Sequence, residues 1–133
     1  MSQMIANVLE IQNCDSLHIV KFNFYGEVLS MMSLELSQKV KVGVEVKLLV
    51  KPTHIAIAKE VSGDFSYANR LDCKIIEIED GELLSSVKLS VFDTILESII
   101  MRSSSRDMGL KVGDSVTAFI DASELSIGEI IDD

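Results

Sequence analysis

The side chains best suited to chemistry are few and scattered. His18 and His54 are the only histidines, and Cys14 and Cys73 the only cysteines. None has Cys, Asp or Glu partners at metal-ligand spacing, so no metal site is expected. No glycine-rich phosphate loop and no nucleophile with a nearby base occurs, so the chain is not expected to be an enzyme. What does recur is a hydroxyl just past a strand. Thr53 ends the step Lys51-Pro52-Thr53, and Ser123 ends Asp121-Ala122-Ser123. A further hydroxyl, Ser104, stands in "RSSSRDMGL" with Asp107 three residues on and Gly109 as terminator, the spacing of a capped helical turn. Hydroxyls at such places satisfy backbone groups at a bend or a helix start.

The elements that would carry these hydroxyls are written twice. "VKVGVEVKLLVKPTHIAI", residues 40–57, is answered by "LKVGDSVTAFIDASELSI", residues 110–127. Earlier, Val20, Phe22 and Phe24 share one face of a period-two run, and Val87, Leu89 and Val91 repeat it. Such alternation reads as half-buried strand and fixes its register, because a slip of one residue puts the apolar set into water. The early strands match at a separation of 67 residues and the later ones at 70. The three extra residues are expected within "FDTILES" against "FYGEVLS". The match runs from about Met4 to Lys59 and from Leu71 to Glu129, joined by "EVSGDFSYAN". Agreement of strand phase, KVG turn and hydroxyl step indicates duplication.

This predicts an all-β chain of two tandem OB-like small β-barrels, each with a one-turn helix. The modules are residues 1–60 and 69–133, with 61–68 as connector. The helical turns fall in "SLELSQKV" and "RSSSRDMGL". A module of about 60 residues is marginal by itself, and without Trp each core rests on Leu, Ile and Val. The halves are therefore expected to lean on each other and on further copies, giving a homo-oligomer, a dimer or trimer.

The net charge of −9 argues against a partner whose phosphates must be neutralised, so neither nucleic acid nor an acidic membrane surface is expected. A small anion is not excluded, since screening over about 8 Å lets local donors outweigh remote carboxylates. No apolar run approaches the roughly 20 residues that span a bilayer, and the N-terminus lacks a signal-peptide pattern. A cytoplasmic protein with reduced thiols is expected.

The order of strand, hairpin, helical turn ending in Gly-Leu, x-x-Gly turn, strand and Lys-Ala-Ser step resembles the Mop/TOBE molybdate-binding family. Two modules in series resemble its di-Mop arrangement. The resemblance covers nearly the whole chain and is strongest through "MGLKVGDSVTAFIDASELSI". It implies molybdate or tungstate as ligand, held by hydrogen bonds where modules or subunits meet, with no metal coordination by protein and no covalent cofactor. The family's Ser-Ala-Arg-Asn stretch maps to "SYAN", giving Ser66 and Asn69 but Ala68 in place of the arginine. Its Thr-x-x-Ser maps to Met101 and Ser104, and its Lys-Ala-Ser to Lys51-Pro52-Thr53 and to Asp121-Ala122-Ser123. The implied oxyanion-binding residues are Lys51, Thr53, Ser66, Asn69, Ser104 and Ser123. Hydroxyl and amide donors suit a tetrahedral dianion. The first repeat's Lys51 and Thr53 with Ser66, Asn69 or Ser104 form the expected composite site, and Arg70, Arg102 or Arg106 could replace the absent arginine. Each lost charged hydrogen bond removes about 1.5–3 kcal/mol. Asp121 and Ala68 therefore also admit the alternative of a degenerate module that assembles with a transporter ATPase or transcription regulator and binds anion poorly.

Overall fold

The computed structural model describes residues 2–132. The first repeat supplies β1 (Ser2–Cys14), β2 (Leu17–Phe24), β3 (Glu27–Ser33), β4 (Glu45–Val50), a 3-10 turn (Pro52–His54) and β5 (Ala56–Ala58). The second supplies β6 (Asn69–Asp80), β7 (Leu84–Val91), β8 (Thr94–Met101), α1 (Arg102–Met108), β9 (Ser115–Ile120), a 3-10 turn (Ala122–Glu124) and β10 (Ser126–Asp132). Burial follows the alternation. Met4, Ala6 and Val8 of β1 point inward while Gln3, Ile5 and Asn7 point out, and Leu71, Cys73 and Ile75 of β6 repeat the phase. The two repeats share one continuous apolar core. In it the buried Phe22 and Phe24 of β2 stand where β7 has Leu89 and Val91.

The KVG turn is repeated for a backbone reason. Gly43 (φ 92°) and Gly113 (φ 96°) lie in the left-handed region, where a side chain is strained. Each turn then docks on the bulge of its repeat's first strand. Gly43 N–H donates to Val8 O (2.8 Å) and Val8 N–H to Val44 O (2.9 Å); Gly113 N–H donates to Ile75 O (2.8 Å) and Ile75 N–H to Asp114 O (2.9 Å). Asp114 Oδ2 also accepts from Lys111 N–H (2.9 Å). That bond, followed by the nearby Lys59 and Lys111 charges, holds its carboxyl below the usual range.

The two five-stranded sheets run β10-β4-β1-β2-β3 and β5-β9-β6-β7-β8. Each repeat thus gives its last strand to the sheet of the other. β10 pairs along Glu45–Leu49 of β4, and β5 along Thr117–Phe119 of β9. Both exchanged strands are tied by an ion pair of opposite sense: Lys59, just after β5, to Asp114 (3.3 Å), and Glu129 of β10 to Lys47 (3.3 Å). The module boundaries at 60 and 69 divide the repeats along the chain; in space the repeats interlock.

The repeats face one another across a pseudo-two-fold axis, marked by contacts between equivalent residues. Tyr25 stacks on Phe92 (centroids 4.9 Å apart, planes 15° apart). At a separation of 70 residues, His54 meets Glu124 (2.7 Å). The opening residues also cross reciprocally: Ser2 Oγ accepts from Glu97 N–H (2.8 Å), and the Asn69 amide clasps the backbone of Ser30.

Three expectations need correction. "SLELSQKV" forms no helix: β3 ends at Ser33 and the chain passes through a turn at 38–39. There Ser33 and Ser37 bond local backbone instead, Glu35 N–H donating to Ser33 Oγ and Lys39 N–H to Ser37 Oγ, which competes with helix. In the second repeat, Ser104 is the third helical residue and not the cap. Met101 is the N-cap without a side-chain bond, while Gly109 (φ 63°) closes the helix as expected. Nor do the extra residues lie in "FDTILES". Phe22 faces Leu29 just as Leu89 faces Leu96, so the separation of 67 holds through both hairpins. The insertion falls between β8 and the second KVG turn, and it gives the second repeat the length to wind α1.

Candidate functional site

The exchange places each hydroxyl step against the opposite repeat. Lys51 and Asp121 take the same extended conformation (φ −72° and −68°) ahead of the two 3-10 turns. The first turn packs on β8 and the second on β3, so two clefts related by the pseudo-two-fold axis open beside them. One cleft, of about 340 Å³, is formed by Thr53, His54, Ile55 and Ala56 with Tyr67, Ile99, Ile100, Asp121 and Glu124. Its wall is pinned by the buried Ser98, whose hydroxyl donates to Ile55 O (2.6 Å). The other, of about 460 Å³, sets Ser123 and Ser126 against Met32, Ser33 and Ser37. It lies where the first repeat has a short loop in place of α1.

The expected site residues are distributed as follows. Thr53 and Ser123 are exposed and line different clefts. Lys51 is exposed beside Thr53 at the start of its turn. Ser66 is exposed on the connector, one residue from Tyr67 of the Thr53 cleft. Asn69 is buried, and its side chain is engaged: Oδ1 accepts from Ser30 N–H (2.6 Å) and Nδ2 donates to Ser30 O (2.9 Å). Ser104 is half-buried on α1 and is not among the residues lining either cleft. The fold thus brings Thr53 and Tyr67 into one cleft, with Lys51 and Ser66 near them only along the chain, and leaves Ser104 and Ser123 elsewhere.

Sequence reasoning missed three residues that the fold adds to the Thr53 cleft: His54, Tyr67 and Glu124. One signal could have found two of them. His54 and Glu124 are equivalent positions of the repeat with complementary chemistry, as expected of residues that meet near a two-fold axis. Of the candidate cations, Arg70 is drawn aside, its guanidinium lying over Phe119 (5.5 Å) and Phe65 (5.7 Å). Arg102 pairs with Asp80 (3.7 Å) at the β6–β7 hairpin. Among the described residues no group of three or more His, Cys, Asp or Glu side chains could hold a metal ion. None forms a helix long and apolar enough to cross a membrane.

Residues 66–127 match the TOBE domain. The fold of the whole chain matches the structure of the cytoplasmic molybdate-binding protein ModG with molybdate bound, at a TM-score of 0.90 and 25% identity, over 96% of this chain and 94% of that one. The TOBE match thus covers most of the second repeat, and the whole chain shares the fold of that molybdate-binding protein. A Mop-like module in each half agrees with the two OB-like units interlocked here. A molybdate-binding protein from Sporomusa ovata is 30% identical over 45% of this chain and 90% of its own, with a TM-score of 0.44. No curated protein matches this tandem Mop-like chain in sequence.

Proposed function

We propose that the chain is a cytoplasmic, non-enzymatic binding protein for molybdate or tungstate, serving storage, homeostasis or sensing. The observation that carries this is the end-to-end match, in tandem arrangement, with a protein solved with molybdate bound. The proposed binding region lies around the first hydroxyl step. Lys51 supplies charge, Thr53 and Ser66 supply hydroxyls, and the outward surface is open to a second copy of the chain. Asn69 acts chiefly by positioning the start of β6 through Ser30. Ser104 and Ser123 would act at separate positions. The protein assembles as a homo-oligomer, which shields the exposed apolar side chains Ile5, Leu9, Val28 and Ile95.

Native mass spectrometry with molybdate, tungstate and sulfate reads anion uptake and assembly together. Uptake of molybdate or tungstate at tens of micromolar by an oligomer is expected. Lys51→Ala should weaken uptake about tenfold, the worth of one charge-assisted hydrogen bond. Lys47→Ala should leave it unchanged, since Lys47 serves Glu129. Equal effects would discredit the assigned region. One feature favours a second reading, an assembly module that binds anion poorly: Asp121 and Glu124 place two carboxylates in the Thr53 cleft. No uptake of any anion, with retention of an ATPase or regulator partner, would establish that reading instead.

A further inference from the structure

Resting on the oxyanion reading of the Thr53 cleft, we propose that His54 is itself an oxyanion-binding residue that works only when protonated, so that each anion enters together with a proton. The cleft poses an electrostatic problem that the hydroxyls do not solve. It is lined by two carboxylates, Asp121 and Glu124, against one titratable nitrogen base, His54. An ionised carboxylate beside a dianion is repulsive at any effective dielectric.

The geometry assigns the ring's protons. His54 Nδ1 lies 2.7 Å from Glu124 Oε2. An ionised carboxylate only accepts, so Nδ1 carries the hydrogen and donates it, and the neutral ring keeps its lone pair on Nε2. In that state the ring offers an oxyanion an acceptor, which repels it. A proton on Nε2 turns the acceptor into a charged donor and makes Glu124 one half of an ion pair. The groups that face His54 are Asp121 and Glu124 from the opposite 3-10 turn and Tyr67 from the connector, while β8 presents Ile99 and Ile100. Lys51 precedes it on its own turn. With imidazolium, Lys51 and His54 balance Asp121 and Glu124; with neutral imidazole the group carries one net negative charge. Histidine is the side chain whose charge changes within the physiological range. By reciprocity, a proton that aids the anion is itself held more tightly once the anion is bound.

The duplication explains why this pair can exist. In a dimer of identical modules the same residue would face itself across the axis. Two repeats in one chain let one position become His54 and its equivalent Glu124, so a proton-sensing pair sits on the axis with a binding hydroxyl, Thr53, next to it.

The test is equilibrium dialysis with molybdate and tungstate from about pH 6 to 8.5, with isothermal titration calorimetry at pH 8 in two buffers of different ionisation enthalpy. The apparent Kd should rise roughly tenfold per pH unit once the ring is mostly neutral, because the competent fraction falls by that factor. Proton uptake should accompany anion binding over the range in which the Kd rises. His54→Gln keeps a donor toward Glu124 and cannot titrate. It should flatten the profile, with affinity at pH 6 below that of the wild type. His18→Gln, altering a ring bonded to Asn13 on the first hairpin, should leave the profile intact. Binding that persists with a flat profile and no proton uptake would overturn the role of His54 and leave the oxyanion reading standing. No uptake at any pH would overturn the oxyanion reading itself.

Discussion

Single side chains in this molecule show how burial separates like residues. Cys73 sits inside β6, and burial pushes its thiol from the ordinary 9.0 up to about 12, offset in part by the Ala118 backbone. Cys14 lies exposed at the tip of the first hairpin. A thiol-specific reagent at pH 8 should therefore modify one cysteine in the native protein and two after denaturation; rapid native reaction of both would refute the placement of β6. The same shift has a stability consequence. The folded state favours the neutral thiol, so its contribution is complete below about pH 9 and is lost as pH rises toward about 12. Asn69 gives the opposite lesson about what a sequence can reveal. Its place in "SYAN" suggested an anion donor, but its partner is the backbone of Ser30, in the other repeat. That contact depends on how the repeats pack, which no local pattern encodes.

Among the elements, strands were legible throughout and helices only in part: "RSSSRDMGL" winds α1 and stops at Gly109 as expected, whereas "SLELSQKV" does not wind. A period-two run with one buried face has a single acceptable register, so Val20, Phe22 and Phe24 could be placed inside from spacing alone, as the structure has them. The helical turns depended on a few residues of capping chemistry and on loop length, where energies of about 1 kcal/mol decide. There "SLELSQKV" yielded to local serine bonds, and Met101 took the cap from Ser104. Strand exchange was invisible as well, since β5 and β10 fit either sheet by pattern. What holds β10 in place is close packing. A Cβ on Gly128 would come within 2.6 Å of Leu49 Cγ on the paired strand β4. Gly128→Ala should therefore cost about 1–3 kcal/mol by overpacking, read from chemical denaturation midpoints. Leu49→Ala combined with Gly128→Ala should cost less than the sum of the two single changes. Strict additivity would mean that β10 does not pack on Leu49.

For the whole molecule the question is whether two small modules behave as two folding units. A module of about 60 residues buries too little surface to be secure alone, and here neither sheet is complete without the other repeat. Pulling β10 off β4 removes an edge strand from the first sheet, while pulling β5 off β9 removes one from the second. The apolar core is continuous, and the Tyr25–Phe92 and His54–Glu124 pairs tie the repeats together at equivalent residues. Partial unfolding of one repeat would expose the core of the other and break both pairs, so the intermediate with one folded repeat gains little of the native stability. Unfolding should then be a single cooperative transition. In calorimetry under conditions that hold any assembly constant, the measured enthalpy should equal the van 't Hoff enthalpy for all 133 residues. A tandem of independent barrels would instead give two transitions, or a van 't Hoff value near half the calorimetric one. That result would mean the exchanged strands are not held in solution. The Thr53 cleft, whose walls come from both repeats, would then lose its geometry whenever either repeat opened.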